Sequence, residues 1–235
     1  MAREKSEKDE KTTGIIEKIL ESMQKHRKGI FIGLIALVVF FIGAIIFVTV
    51  RENLQENALV QVDEFERRYA ELMFFNEFEF SDVDNLLRLI ELNVLLDELR
   101  VFEKSAFGFA LARAQVLSGD IHWEMGDFNL AENSWLDAAR TARNSYLEPV
   151  SYYNAAIAAE EQGNIDSAIA HFEKALAGGD SFPYAARAQF AIGRLEESRN
   201  NIAAAIQAYE TLLMRWFNDP VWANLAQSRI IALSN

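Results

Sequence analysis

Apolar residues recur along most of this chain at helical spacing, but one stretch is apolar without interruption. Residues 29–50 (GIFIGLIALVVFFIGAIIFVTV) carry no charge and no polar stripe. As a helix rising about 1.5 Å per residue, this run reaches about 33 Å, enough to cross a hydrocarbon core of about 30 Å. It predicts a single transmembrane helix. It is too long for the apolar core of a signal peptide, and no small-x-small cleavage site follows it. Beyond it the pattern becomes one-sided. Leu54, Ala58, Val62, Phe65, Tyr69 and Leu72 step by three or four, the stripe of an amphipathic helix. Packing within the chain is the expected use of that stripe, with a dimeric coiled coil as the alternative. Residues 83–103 are apolar nearly all round, which predicts a central helix, and Ser81 with Asp84 supplies a capping box. Ahead of the spanning segment, residues 1–12 are charged and apolar-poor, a composition expected to be disordered. Residues 14–28 place Ile15, Ile16, Ile19, Leu20 and Met23 on one face, with Lys18, Lys25, Arg27 and Lys28 around the remainder. That face makes either an interfacial or partner-binding helix or a plain extension of the spanning helix.

Self-comparison finds three segments aligned at an offset of 37 residues, starting at Gly119, Ala156 and Gly193. Stacking them gives columns of constant character. Gly119, Ala156 and Gly193 are small, and so are Ala131, Ala168 and Ala205. Gly126, Gly163 and Asn200 are turn formers. Trp135, Phe172 and Tyr209 are aromatic, and Ala138, Ala175 and Leu212 are apolar. Two helices that cross closely need a small residue on each at the crossing. A tight turn between them needs a residue that tolerates the left-handed conformation. Asp127, Asn164 and Asn201 follow the turns and are expected to cap the second helices. One such pair cannot bury its apolar face alone, whereas stacked pairs share a continuous core. Asp219 and Pro220 open a last helical segment, VWANLAQSRIIAL, which reads as a C-terminal cap.

These columns resemble the tetratricopeptide repeat. The second unit follows the family pattern in order, through Tyr152, Ala155, Ala156, Ala159, Gly163, Ala168, Phe172 and Ala175. The first departs from it at Gln115 and Ser118, and the third has Asn200 for Gly. The fold expected is all-α: one N-terminal transmembrane helix followed by an α-solenoid of antiparallel helix pairs with a C-terminal capping helix. The expected divisions are a charged cytoplasmic tail (1–28), the spanning helix (29–50), a divergent helical pair (51–106) and a solenoid (107–235). The solenoid holds repeats at 112–145, 149–182 and 186–219 and a cap at 220–234.

Charge changes the picture of partners. Residues 51–235 hold 15 basic and 29 acidic side chains, a net charge of −14. Nucleic-acid binding needs clustered positive charge and is not expected. Basic residues are denser before the spanning segment (Lys11, Lys18, Lys25, Arg27, Lys28) than after it (Arg51, Arg67, Arg68), which orients the N-terminus to the cytoplasm. There are no cysteines, so disulfides and thiolate chemistry are absent. His26, His122 and His171 lie on separate elements, not one helical turn apart as hydrolytic zinc sites require. His122 stands where the repeat family has Tyr and reads as a packed core residue. Asp82 and Asp84 lack the Gly and terminal Glu of a calcium loop. Gly178 and Gly179 form an inter-repeat turn without a phosphate fingerprint. No enzyme, cofactor, metal or small-molecule substrate is expected.

The resemblance implies a binding groove along the first helix of each unit. Its lining would be Arg113, Val116, Asp120 and Trp123, then Tyr153, Asn154 and Ile157, then Arg187, Phe190 and Arg194. Family members that grip a peptide carboxylate use Lys and Asn there. Here Val116, Tyr153 and Phe190 stand instead, so the lining suits extended or partly unfolded segments. The whole layout, with its KHRKGIFIGLIALVV entrance, resembles the ancillary subunit of the bacterial Sec translocon. That resemblance implies a scaffold in the bacterial inner membrane with its repeats in the periplasm. Its partners would be translocon subunits, chaperones or exported chains. Three other readings stay open on the sequence: an envelope-assembly or division scaffold, an outer-membrane import-type receptor with a cytosolic repeat domain, and an accessory subunit of an enzyme.

Overall fold

The structure is a computed structural model that describes residues 27–74, 82–179 and 182–234. The tail up to residue 26, its amphipathic segment and Ser81 of the expected capping box lie outside the described residues. Among the described residues all regular structure is helical, in nine helices. The chain divides into two units, residues 1–54 and 55–235. The first helix, α1 (Arg27–Phe74), runs through the division unbroken. In its N-terminal unit the described large apolar side chains are exposed, and the helix is long and apolar enough to cross a membrane.

In the second unit the 37-residue register becomes three helix pairs. These are α3 (Gly108–Glu124) with α4 (Phe128–Thr141), α5 (Leu147–Glu161) with α6 (Ile165–Leu176), and α7 (Ala185–Ser198) with α8 (Ile202–Arg215). The turns close as the column of turn formers predicts. Gly126, Gly163 and Asn200 sit at φ of 78°, 72° and 61°. That is the left-handed region, which ends the first helix of each pair. The small column lies beneath the aromatic column. A Cβ placed on Gly119 would meet the Trp135 ring at 2.5 Å, and one on Gly193 would meet the Tyr209 ring at 2.4 Å. In the middle pair Ala156 and Phe172 share one buried cluster. Glycine thus stands where the ring opposite presses hardest, and the aromatic side chains lock each pair together.

The expected N-caps need correction. Asp127, Asn164 and Asn201 all occupy N-cap positions, but only the Asn164 side chain caps, accepting from the Ser167 N–H at 3.3 Å. Asn201 instead donates to Glu196 at 2.8 Å. The cap helix, α9 (Pro220–Leu233), starts as predicted, with Asp219 accepting from the Trp222 N–H at 3.4 Å. It packs on α8 and on α7.

Ahead of the pairs, the C-terminal part of α1 and helix α2 (Asp82–Glu103) form their own core. Val62 packs with Leu92, Leu95, Leu96, Leu99 and Phe102, and α3 adds Ala110, Ala114, Leu117 and Ile121. The stripe on α1 packs within the chain from Ala58 onward, whereas Leu54 is exposed. The expectation that α2 is central is overturned. Leu86, Leu87, Ile90, Val94 and Val101 are 45–67% exposed. One side of α2 has neighbours, and among the described residues nothing covers the other.

Candidate functional site

The first helices of the pairs, α3, α5 and α7, carry every residue expected to line the groove. At the α3 end, Arg113 is engaged within the chain. Its guanidinium meets Glu66 of α1 at 2.5 and 2.9 Å and Asp63 at 2.7 Å, with a fifth of the side chain exposed. A fork held on both prongs is a structural clamp between α1 and α3. Val116 and Trp123 flank a buried cluster of Ala131, Trp135, Ala155 and Ala158. The Trp123 ring lies 5.0 Å from Phe128 and 5.9 Å from Trp135. Trp135 Nε1 donates to Asp120 Oδ1 at 3.0 Å. Burial pushes the Asp120 carboxyl up to about 6, with the Trp135 hydrogen bond opposing and the charges of Glu66 and Glu124 adding to the rise.

On α5, Tyr153 is buried. Its ring stacks on Tyr184 at 5.2 Å and meets Phe172 and Phe182 edge-on at 5.5 and 5.9 Å. Arg187 of α7 covers the same ring at 5.8 Å while staying exposed to solvent. Asn154 and Ile157 are partly exposed, and Ile157 rests on the buried cluster below it. On α7, Phe190 lies 5.3 Å from both Tyr209 and Trp222. Arg194 reaches back to Glu160 of α5 at 2.5 Å.

Phe190 and Arg194 open into a pocket of about 410 Å³ whose remaining lining is Glu197, Ser198, Tyr209 and Arg229. Tyr209 donates its hydroxyl to Glu197 at 3.2 Å, and Arg229 of α9 pairs with the same carboxylate. Sequence reasoning misses Glu160, Glu197 and Arg229. For the two glutamates a signal is present in the register: Trp123, Glu160 and Glu197 form one column, facing another of Asp120, Ile157 and Arg194. Arg229 falls off that second column, so no repeat position announces it. The junctions α5–α7 and α7–α9 are closed by Glu–Arg pairs, Glu160 with Arg194 and Glu197 with Arg229. At α3–α5 the same columns hold Trp123 and Ile157, and among the described residues no ion pair joins those helices. His122 is half-buried, and burial holds its imidazole below the usual range. His171 meets Glu132 at 3.0 Å between α6 and α4. No group of three His, Cys, Asp or Glu side chains among the described residues is placed to hold a metal.

Stacked helix pairs with left-handed turns and a small residue under each ring define an α-solenoid of the protein-binding kind. Residues 116–180 and 153–220 match the tetratricopeptide repeat, and the chain carries these repeats. It is also 39% identical over 127 residues to a TPR repeat-containing protein of Treponema pallidum (strain Nichols). That alignment covers 54% of this chain and 52% of the relative, so the chain spans about half the length of the curated relative it matches. Repeats of this kind mark a scaffold for protein–protein interaction.

Proposed function

We propose that this chain is a membrane-tethered scaffold that holds extended protein segments along the exposed first-helix face of its repeats. The observation that carries the reading is the break in the Glu–Arg ladder. Trp123 and Ile157 stand where the later junctions carry ion pairs, so an apolar stretch adjoins a charged one. Arg187 and Arg194 edge the far end. A segment with apolar anchors and a few acidic residues suits such a surface, since the anchors supply the burial and the arginines fix register. Residues 29–50 would be the tether, crossing the bacterial inner membrane with the N-terminus in the cytoplasm and the repeats outside. The basic residues ahead of that segment support this orientation.

The finer reading places the scaffold beside the Sec translocon, handing emerging chains to chaperones. Its support is the layout of a basic-flanked spanning segment followed by repeats. Photocrosslinkers at Asn154, Ile157 and Phe190 test it; Tyr153 is too buried to report. Capture of translocon subunits, chaperones or exported chains is expected. If none of these is captured, the translocon reading fails. Alkaline phosphatase fused after Asn235 tests the orientation: activity is expected, and its absence puts the repeats in the cytoplasm.

A further inference from the structure

The apolar face of α2 lies outside the repeats and their groove. Leu87, Ile90, Val94 and Val101 follow one another at intervals of three, four and seven residues, a stripe with the spacing of a helix–helix seam. All four are exposed, at 55, 49, 45 and 67%. Between this stripe and α1 runs a groove of about 680 Å³ floored by Phe65, Val94, Val101 and Phe102 and rimmed by Asp97 and Glu98. Scattered exposed apolar residues are ordinary, but a contiguous row over a groove marks a contact surface.

Charge decides what would cover it. Residues 55–106 hold 13 acidic and 5 basic side chains, a net charge of −8. Glu91, Asp97 and Glu98 border the stripe. Arg68 meets Glu98 at 2.5 Å and Arg100 meets Asp97 at 2.7 Å. Pairs this exposed exchange partners at little cost. A second copy laid on the same face would bring acidic borders together across the two-fold axis. An anionic lipid surface would be repelled likewise.

We propose that the outer face of α2 and its groove dock an amphipathic helix of a partner protein, apolar on one side and basic along both flanks. The apolar side fills the groove, and the basic flanks meet Glu91, Asp97 and Glu98. This surface is separate from the repeat groove, so the scaffold can hold two partners at once.

The test uses the full chain in nanodiscs of zwitterionic lipid, with empty nanodiscs as the blank. The probe is a fluorescein-labelled helical peptide with leucines at three- and four-residue spacing and lysines on both flanks, read by anisotropy. A matched peptide carries glutamates in place of the lysines. The lysine peptide is expected to bind at least tenfold more tightly than the glutamate peptide. The V94D/V101D double variant is expected to lose at least tenfold for the lysine peptide, and Trp123→Ala to lose nothing. Should the double variant melt early, Val101→Ser carries the test alone, with about a threefold loss expected. Failure of the lysine peptide to bind, equal binding of the two peptides, or binding unchanged in the α2 variants overturns the proposal. So does concentration-dependent dimerisation of the parent in detergent that the double variant abolishes, because the face then belongs to a second copy. The Trp123→Ala result separates this surface from the groove, so either reading can fail without the other.

Discussion

Replacing Gly193 by alanine adds one methyl group against the ring of Tyr209. The new Cβ would stand 2.4 Å from Cε1 and 2.7 Å from Cδ1 of that ring. Carbon atoms settle at about 3.5–4.0 Å, so the ring must retreat by about 1 Å. Apart from the edge that borders the pocket beside Phe190 and Arg194, it has little room to do so. Tyr209 is fully buried, Phe190 packs on it at 5.3 Å, and its hydroxyl is held by Glu197. Overpacking of a core costs about 1–3 kcal/mol, and a ring pinned in this way belongs in the upper half of that range. Alanine regains about 1 kcal/mol of helix propensity over glycine. The net loss is then about 1–2 kcal/mol, a fall of roughly 2–8 °C in Tm for a chain of this size. Ala156→Gly is the companion. It occupies the same column over Phe172, where a methyl group already fits, and its removal is expected to cost about 1 kcal/mol. Both substitutions should therefore lower Tm although they change the side chain in opposite directions. Thermal melts of the full chain in detergent micelles, followed by far-UV circular dichroism, decide the matter. A Gly193→Ala variant that melts at or above the parent would refute the reasoning.

Asp120 gives a pH-dependent prediction. Its folded carboxyl titrates at about 6, above the ordinary value of about 3.9 in an unfolded chain. Between those values the folded state keeps a proton that the unfolded state has lost, so stability falls as pH rises through that window. Asp120→Asn keeps an acceptor oxygen for Trp135. It is expected to melt with the parent at about pH 4 and above it at about pH 7.5. At the turns, Gly163→Ala and Asn200→Ala should each lose about 1 kcal/mol through left-handed backbone strain, while Asn200→Gly should be neutral or stabilising; denaturant midpoints measure all three. On α2, Leu92 is fully buried, so Leu92→Ala should cost about 2–5 kcal/mol. Leu86 is 58% exposed. Leu86→Ala should therefore stay within about 0.5 kcal/mol of the parent. Equal losses for the two in thermal melts would show that α2 is covered on both sides.

The parts legible in the sequence are those where geometry admits few residue types. A left-handed turn accepts Gly or Asn, so Gly126, Gly163 and Asn200 announce the turns. A helix passing under a ring accepts Gly or Ala, so the small and aromatic columns announce the pairing. Capping is less legible because it depends on a second partner. Asn201 has the right side chain, but Glu196 lies close enough to take its amide. Helix α2 misleads because all-round apolarity says nothing about how many sides have neighbours. In the groove, Phe190 and Arg194 follow from the register and do share a pocket. Arg113 turns away to Asp63 and Glu66, residues of α1 that belong to no repeat column. Tyr153 is drawn under Phe182 and Tyr184, which lie in the stretch between α6 and α7 rather than on either helix. Register predicts what recurs; these contacts occur once.

The last helix also governs how long the array can grow. Phe190, Tyr209 and Leu212 form the face on which another unit would stack, and α9 closes it with Trp222, Ala226 and Ile230. A cut in the segment 216–219 that released α9 would leave that aromatic face open at one end of every molecule. Two truncated chains could cover that face by meeting face to face as a dimer, and head-to-tail joining would give rings or open filaments according to whether the rotation between units closes. In that sense α9 is a terminator: it keeps a stackable design finite.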